Sequence, residues 1–280
     1  PASGKLVPYP QINDDKSIGV KQPMLEDSKG NIWLAGLGGK FTRIHPATGS
    51  KDSFTINNMA AKPMPPKSIC TALYEDKQGV CWIGTAEGFV KVIFSNSQQS
   101  SPQIKWFYNN SSNRNSLNYN HVSCFLDDPS APDKYLWIAT KGGGLNRLDK
   151  TTGDFFHLTT KDGLPDDVVY GILPDDAGNI WGSTNKGIFC LTAANNNGNN
   201  WVFHNFTKAN GLQDDEFNTG AYAKLPNGNL AFGGVNGLNI FDPKEILVLG
   251  FMPNVFITDI LINNQSIAPE DNSAVLQNTI

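Results

Sequence analysis

Arginine is nearly absent. The 280 residues hold three, Arg43, Arg114 and Arg147, and 22 basic side chains face 26 acidic ones for a net charge of −4. A nucleic-acid groove needs clustered positive charge, so this chain is not expected to bind DNA or RNA. Charge of either sign is scarce, at 17% of residues against 39% hydrophobic, which is the balance of a folded chain and not of a disordered one. The four histidines, His45, His121, His157 and His204, are scattered, and none pairs locally with another metal ligand. The four cysteines, Cys70, Cys81, Cys124 and Cys190, match no zinc spacing. Each lies on or beside an expected strand and reads as a buried free thiol. No metal and no cofactor is expected. No signal peptide is visible, and a chain starting at Pro1 is expected to be cut from a longer one. The apolar stretch Ile246–Ile262 is interrupted by Pro253, Asn254 and Asp259, so it does not read as a membrane span.

Turn residues and tryptophan are what the chain does have, in a fixed pattern. Asp175–Gly187 reads D-D-A-G-N-I-W-G-S-T-N-K-G: a turn on Gly178 and Asn179, a short strand with Trp181, and a second turn closed by Gly187. Gly and Asn supply the positive backbone angles of hairpin turns, and the indole gives a short strand a large surface to bury. The unit recurs at Leu25–Gly39 (L-E-D-S-K-G-N-I-W-L-A-G-L-G-G), Tyr74–Gly88 (Y-E-D-K-Q-G-V-C-W-I-G-T-A-E-G) and Tyr135–Leu145 (Y-L-W-I-A-T-K-G-G-G-L). A fifth copy, Leu225–Leu238, has Ala231 at the tryptophan position. Trp33, Trp82, Trp137, Trp181 and Ala231 are 49, 55, 44 and 50 residues apart. A period near fifty with four short strands per period predicts an all-β fold, a β-propeller of four-stranded antiparallel blades. A glycine follows the tryptophan position by six residues in four copies, at Gly39, Gly88, Gly187 and Gly237. In the third copy Gly143 and Gly144 both fit, without or with a one-residue insertion.

The blades are expected at 21–56, 68–108, 122–158, 168–206 and 220–243, within a propeller region of 21–245. Residues 1–20 hold an outer strand, Gly4–Tyr9, and a polar loop. An insertion, Pro129–Lys134, lengthens the first hairpin of the third blade, and the Asn- and Gly-rich tract Ala193–Asn200 reads as a loop tip. The fifth blade shows three strands only. Gly4–Tyr9 could supply its fourth and close a ring of five, or could belong to a blade outside this chain. After Pro243 the pattern changes. Val255–Ile262 reads as one strand, followed by a turn, and 253–280 as the start of a second, β-sandwich domain.

The loops entering successive blades share a text: N-S-L-N-Y-N at Asn115–Asn120, D-G-L-P-D-D at Asp162–Asp167 and N-G-L-Q-D-D at Asn210–Asp215. In a four-stranded blade these loops emerge on the same face as the turns between second and third strands. That face should gather Asn120, Asp166, Asp167, Asp214 and Asp215 with Glu87, Lys141, Asn185, Lys186 and Asn236. Two readings stand side by side. A ring of Asp, Asn and Lys could bind the hydroxyls of a sugar, since loops on rigid scaffolds often bind. Asp and Asn side chains also bond the backbone of their own turns, which would account for each residue singly. The repeated tryptophans sit between apolar neighbours and read as packing between blades. Trp106 and Trp201 fall outside the repeat, on expected outer strands.

The text D-x-x-G-N-I-W, then T-x-x-G and a hydrophobic residue, with D-G-L-P-D-D between blades, resembles the regulator-propeller repeats of bacterial two-component sensors. More narrowly it is similar to the sensor region of hybrid two-component systems in gut bacteria that degrade polysaccharides. The resemblance covers about Lys21–Pro243. Pro253–Gln265 (P-N-V-F-I-T-D-I-L-I-N-N-Q) resembles the start of the immunoglobulin-like Y_Y_Y domain that follows such propellers. The resemblance implies a periplasmic sensor part of an inner-membrane protein and recognition of an oligosaccharide from glycan breakdown. It also implies signalling to a histidine kinase, a receiver and a DNA-binding module, and a homodimer, with membrane attachment only through segments outside this chain. Family members carry more than five blades, which favours an excised segment. No family binding motif transfers residue by residue, so the candidate ligand residues come from the loop face: Asn120, Lys141, Asp166, Asp167, Asn185, Asp214, Asp215 and Asn236.

A sensor module without catalysis is the leading expectation. An enzyme and a protein-interaction platform are the alternatives. A glycosidase needs two carboxylates facing across a pocket, whereas the acidic residues here repeat from blade to blade, as architecture does. The Asp-turn-Trp text shares an outline with the sialidase Asp-box, but its spacing differs and no arginine triad accompanies it. Incubation with a panel of polysaccharides is therefore expected to release no new reducing ends; turnover would replace the sensor reading with an enzyme.

Overall fold

The computed structural model describes residues 23–36, 39–56, 69–94, 102–193, 201–248, 261–262 and 265–266. The first sheet has β1 (Met24–Glu26), β2 (Ile32–Ala35), β3 (Lys40–His45) and β4 (Ser50–Thr55). The second has β5 (Cys70–Glu75), β6 (Cys81–Thr85), β7 (Gly88–Ile93) and β8 (Gln103–Phe107). The third has β9 (Val122–Asp127), β10 (Tyr135–Thr140), β11 (Leu145–Asp149) and β12 (Phe155–Leu158). The fourth has β13 (Val169–Pro174), β14 (Ile180–Thr184), β15 (Gly187–Ala193) and β16 (Trp201–Phe206), and the fifth β17 (Phe217–Lys224), β18 (Leu230–Gly234) and β19 (Gly237–Phe241). Each sheet is an antiparallel meander in chain order. First strands pack in sequence, β1 on β5, β5 on β9, β9 on β13 and β13 on β17. These are propeller-like blades in an all-β fold. The apolar core is divided among the seams between successive sheets. Trp33 and Phe41 lie in the first seam, Trp82, Phe89 and Phe125 in the second, and Trp137, Ile172 and Phe189 in the third.

The repeated aspartate explains why the repeated tryptophan can be buried. Trp82 and Trp137 are wholly buried and Trp33 and Trp181 nearly so, each gaining about 4–6 kcal/mol from apolar burial. That burial strands an indole N–H unless an acceptor goes with it. Asp27, Asp76, Asp128 and Asp175 each place Oδ2 at 2.9–3.0 Å from the indole nitrogen of Trp33, Trp82, Trp137 and Trp181. Oδ1 of the same carboxylate accepts turn N–H groups, those of Ala177 and Asn179 in the fourth sheet at 2.9 and 2.8 Å. One side chain thus closes the hairpin and satisfies the indole. Burial works against the charged Asp27, but hydrogen bonds from Asn31, Trp33 and Lys29 outweigh it and hold its pKa below the ordinary carboxylate value. In the third sheet the insertion stretches the spacing to nine residues, and Asp128 also receives the Arg147 Nε–H at 2.7 Å. In the fifth sheet both partners are replaced together, by Leu225 and Ala231, while the backbone turn survives through Leu225 N–H to Asn229 C=O at 2.8 Å.

Adjacent sheets are tied at the residue before that aspartate. Ser28 donates its N–H and hydroxyl to Glu75 at 2.6 and 2.9 Å, and Lys77 donates its N–H to Asp127 at 2.8 Å. At the next seam the corresponding residues are Pro129, which has no N–H, and Pro174, which has no carboxylate. At the last seam the polarity reverses, with Lys224 Nζ on Asp176 at 2.8 Å. Lys150, 3% exposed, sits between the buried carboxylates of Asp76 and Asp127 at 3.0 and 2.7 Å.

Gly144, not Gly143, matches the repeated glycine, because its carbonyl receives the Thr140 hydroxyl as Gly187 receives that of Thr184; the third copy therefore carries the insertion. At Gly187, φ is +97° and a Cβ would strike the Phe206 carbonyl oxygen, so only glycine fits. All four cysteines are free and buried, and burial pushes the Cys70 and Cys124 thiols up to about 12. The fifth sheet's first strand begins at Phe217, ahead of the expected Gly220, because buried Phe217 pairs with Gly234 before the ladder turns irregular. A short helix the sequence reading did not anticipate, α1 (Pro243–Val248), follows β19; Pro243 suits a first helical position, where its missing N–H goes unused. The chain divides into two compact units, Pro1–Pro243 and Lys244–Ile280. In the second, the described residues form a two-stranded ladder, β20 (Leu261–Ile262) with β21 (Gln265–Ser266). The proposed closing strand Gly4–Tyr9, the Ala194–Asn200 part of the loop tip, and the remainder of the expected second domain lie outside the described residues.

Replacing Asp175 by Leu is expected to cost about 2–4 kcal/mol, since it leaves the indole and turn N–H groups unpaired. Trp181→Ala alone should cost about 3–5 kcal/mol. The double variant, which copies the fifth sheet, should cost at least about 1 kcal/mol less than the sum. Urea unfolding checks this, and strict additivity would remove the coupling.

Candidate functional site

Backbone bonds gather the loop face. Gly142 and Gly144 N–H groups donate to the Asp167 carbonyl at 2.9 and 2.8 Å, Gly187 N–H to that of Asp215 at 2.6 Å, and Val235 N–H to that of Glu216 at 3.2 Å. The turns of the third and fourth sheets are thereby fastened to the loop entering the next sheet, and that of the fifth sheet to its own entry loop. Buried Thr85, Thr140 and Thr184 shape those turns, accepting the N–H of Glu87, Gly143 and Lys186 at 3.0, 3.1 and 2.9 Å.

The eight candidate residues all lie on these loops and turns, in different circumstances. Asp167 and Asp215 are tied to their own loops, accepting the N–H of Thr160 and Lys208 at 2.8 and 2.7 Å. Asn120 accepts the Asn109 N–H at 2.6 Å, and Asp214 accepts the Asp215 N–H at 2.8 Å. Asn236 donates its N–H to Gln213 Oε1 at 2.6 Å. The other three meet around the N-terminal end of β13. Asp166 Oδ2 stands 3.7 Å from Lys186 Nζ, and Asn185 Oδ1 accepts the Tyr170 hydroxyl at 2.6 Å. Lys141 Nζ lies 5.8 Å from the Tyr170 ring centre.

The structure adds His121, Tyr170 and Glu216 to this group. Burial raises the Tyr170 phenol above its ordinary pKa, and the negative charges of Glu216 and Asp166 add to the effect. Burial lowers the Lys141 ammonium. His121 is lowered by burial and then by the Lys141 charge, which keeps it a neutral hydrogen-bonding ring near pH 7. Glu87, on the same kind of turn in the second sheet, is raised by burial, and its Oε2 has no hydrogen-bond partner among the described residues. The sequence signal for Tyr170 was its place at the start of an innermost strand directly after D-D-V-V. For His121 it was a place directly before the innermost strand of the third blade, after N-S-L-N-Y-N. The group offers an ammonium, a phenol, an amide and an imidazole to a polar ligand. Among the described residues no set of three or more His, Cys, Asp or Glu side chains is placed to hold a metal ion.

Residues 63–87 and 163–186 match the family model of the two component regulator propeller. Two segments of the chain, in the second and the fourth sheet, are thus similar to that repeat. Both matched segments begin before a first strand, cross the Asp–Trp hairpin and end in the second-to-third-strand turn, at Glu87 and Lys186. A relative of this chain, histidine kinase P4 of Formosa agariphila, is 25% identical over 249 residues, which is 89% of this chain and 17% of the relative. The chain thus spans about a sixth of that relative's length. Two solved structures share the fold. One is an extracellular domain assigned to a hybrid two-component system of B. thetaiotaomicron, with TM-score 0.50, 22% identity, 89% of this chain and 38% of that one. The other is PorZ, a surface component of the type-IX secretion system of Porphyromonas gingivalis, with TM-score 0.59, 16% identity, 82% of this chain and 34% of that one.

Replacing Lys141 by Met should raise the His121 pKa, because it removes one of the two effects that lower it, with burial left in place. An NMR titration of the His121 ring checks this; an unchanged value would mean that burial alone sets it.

Proposed function

We propose that this chain is part of the extracytoplasmic sensor region of a two-component signalling protein. In that role it recognises an oligosaccharide from glycan breakdown and passes the signal towards a histidine kinase across the membrane. The single observation that carries the proposal is the set of regulator-propeller repeats, which build and fasten together a polar loop face. The chemistry of that face supports a polyhydroxylated ligand. Lys141, Tyr170, Asn185 and His121 offer donors and acceptors side by side, with Asp166 and Glu216 beside them. Asn120, Asp167, Asp214, Asp215 and Asn236 hold the loops that frame them and present any remaining lone pairs and protons. The module acts by binding and not by catalysis, and it works in a periplasmic, homodimeric assembly. No helix of the described residues is long and apolar enough to cross a membrane.

Thermal unfolding against a library of oligosaccharides at millimolar concentration tests the proposal. A recognised glycan at about a hundred times its dissociation constant should add about 2.7 kcal/mol to the folded state. Tyr170→Phe and Asn185→Ala should abolish most of that gain while leaving the unliganded transition in place. A library without effect on a cooperative transition would reduce this chain to scaffold.

A further inference from the structure

Two of the three arginines sit opposite a repeated tryptophan, and their surroundings differ in one decisive respect. Arg43 faces Trp33, and its other cross-strand neighbour is Asp52. That carboxylate takes both Nε and Nη2, at 3.2 and 2.7 Å. Arg147 faces Trp137, but its other cross-strand neighbour is Phe156, which accepts nothing and is 48% exposed. Arg147 is 9% exposed. Its Nε is held by Asp128 at 2.7 Å, and Nη1 and Nη2 make no hydrogen bond among the described residues. The guanidinium carbon lies 3.7 Å from the Tyr135 ring centre and 5.4 Å from that of Trp201. A fixed cation with unused donors thus forms the floor of a cavity of about 420 Å³ at the outer edge of the third and fourth sheets, with walls that include Tyr135, Phe156, Trp201, Asp149 and Asp154.

We propose that this rim cavity is a subsite for one neutral sugar residue of a glycan, separate from the loop face. The class of ligand follows from the combination of groups. Phe156 and Trp201 offer aromatic surface for the C–H face of a pyranose ring. The free Nη groups donate to ring hydroxyls, and the carboxylates accept from them. Asp154 is exposed, with one long contact from Asn115 at 3.4 Å, and Asp149 spends Oδ1 on the N–H groups of Thr151 and Thr152, leaving Oδ2 3.9 Å from Lys134 Nζ. An anion would meet two carboxylates here, and a cation would meet the guanidinium. A hydroxylated neutral ring satisfies both. The volume lies within the range of small-ligand pockets, about 300–1,000 Å³. The inference rests on the glycan-recognition reading for its biological setting, and its location is independent of that reading's loop residues.

The test is an NMR titration with neutral disaccharides of gluco, galacto and manno configuration, and with digalacturonic acid. It follows the Trp201 indole signal in the wild type and in Phe156→Ala, Asp154→Asn and Tyr170→Phe. Phe156 and Asp154 are exposed, so their variants should unfold at the wild-type midpoint. The expected result is a Trp201 shift with a neutral disaccharide, weakened at least tenfold by Phe156→Ala and by Asp154→Asn and unchanged in Tyr170→Phe. Binding that leaves Trp201 unmoved and survives Phe156→Ala would overturn the rim subsite while sustaining the glycan reading. A Trp201 response to the diuronide alone would overturn the neutral class. No response anywhere in the spectrum would overturn both.

Discussion

The bond from a buried indole N–H to an aspartate is the constraint on which these sheets depend. A four-stranded meander of strands three to seven residues long has little apolar surface, and one tryptophan per sheet supplies much of it. Burying that ring leaves one proton without water. The aspartate at the head of the hairpin accepts that proton with one oxygen and closes its own turn with the other. Hairpin register and seam packing are therefore set by one side chain. The fifth sheet supports this from within the chain. Its aspartate and its tryptophan are both gone, and neither half of the pair persists without the other.

The seams follow a comparable logic of paired change. Where a backbone N–H points across a seam, a carboxylate meets it, at Ser28 with Glu75 and at Lys77 with Asp127. Where the N–H is removed by Pro129, the carboxylate is replaced by Pro174, and no unsatisfied buried acceptor is left behind. Lys150 completes the second seam by bridging two carboxylates from two sheets. This rigid frame sets the loop face. Turns and entry loops are bolted together by backbone bonds, so the half-buried Lys141, Tyr170 and Asn185 are held in place by structure outside themselves.

Much of the candidate site was legible and much was not. The face was, because turn chemistry and chain order place the D-D loops beside the second-to-third-strand turns. The roles of individual residues on it were not. Asp167 and Asp166 are adjacent in the same text, yet one reaches back to the Thr160 N–H, while the other accepts the Val168 N–H with Oδ1 and turns Oδ2 towards Lys186. His121, Tyr170 and Glu216 escaped notice because they sit on or next to innermost strands, outside the repeated turn text. Their approach depends on neighbouring sheets packing side by side. The rim cavity was invisible for a similar reason. Trp201 lies outside the repeat, and Arg147 differs from Arg43 only through what stands across the strand.

By itself the sequence determined the element type, the number of sheets, their order and the hairpin geometry, because each of these is decided within about twenty contiguous residues. Glycines at positive φ, aspartates capping their own turns and a tryptophan every fifty residues or so are local facts. The tertiary structure decided the pairings between sheets: Lys150 with Asp76, 74 residues away, Lys224 with Asp176, and Lys141 with Tyr170 and His121. Those pairings depend on how far each sheet is displaced and rotated against the next. That is set by side-chain packing in the seams, which no short stretch of the chain encodes.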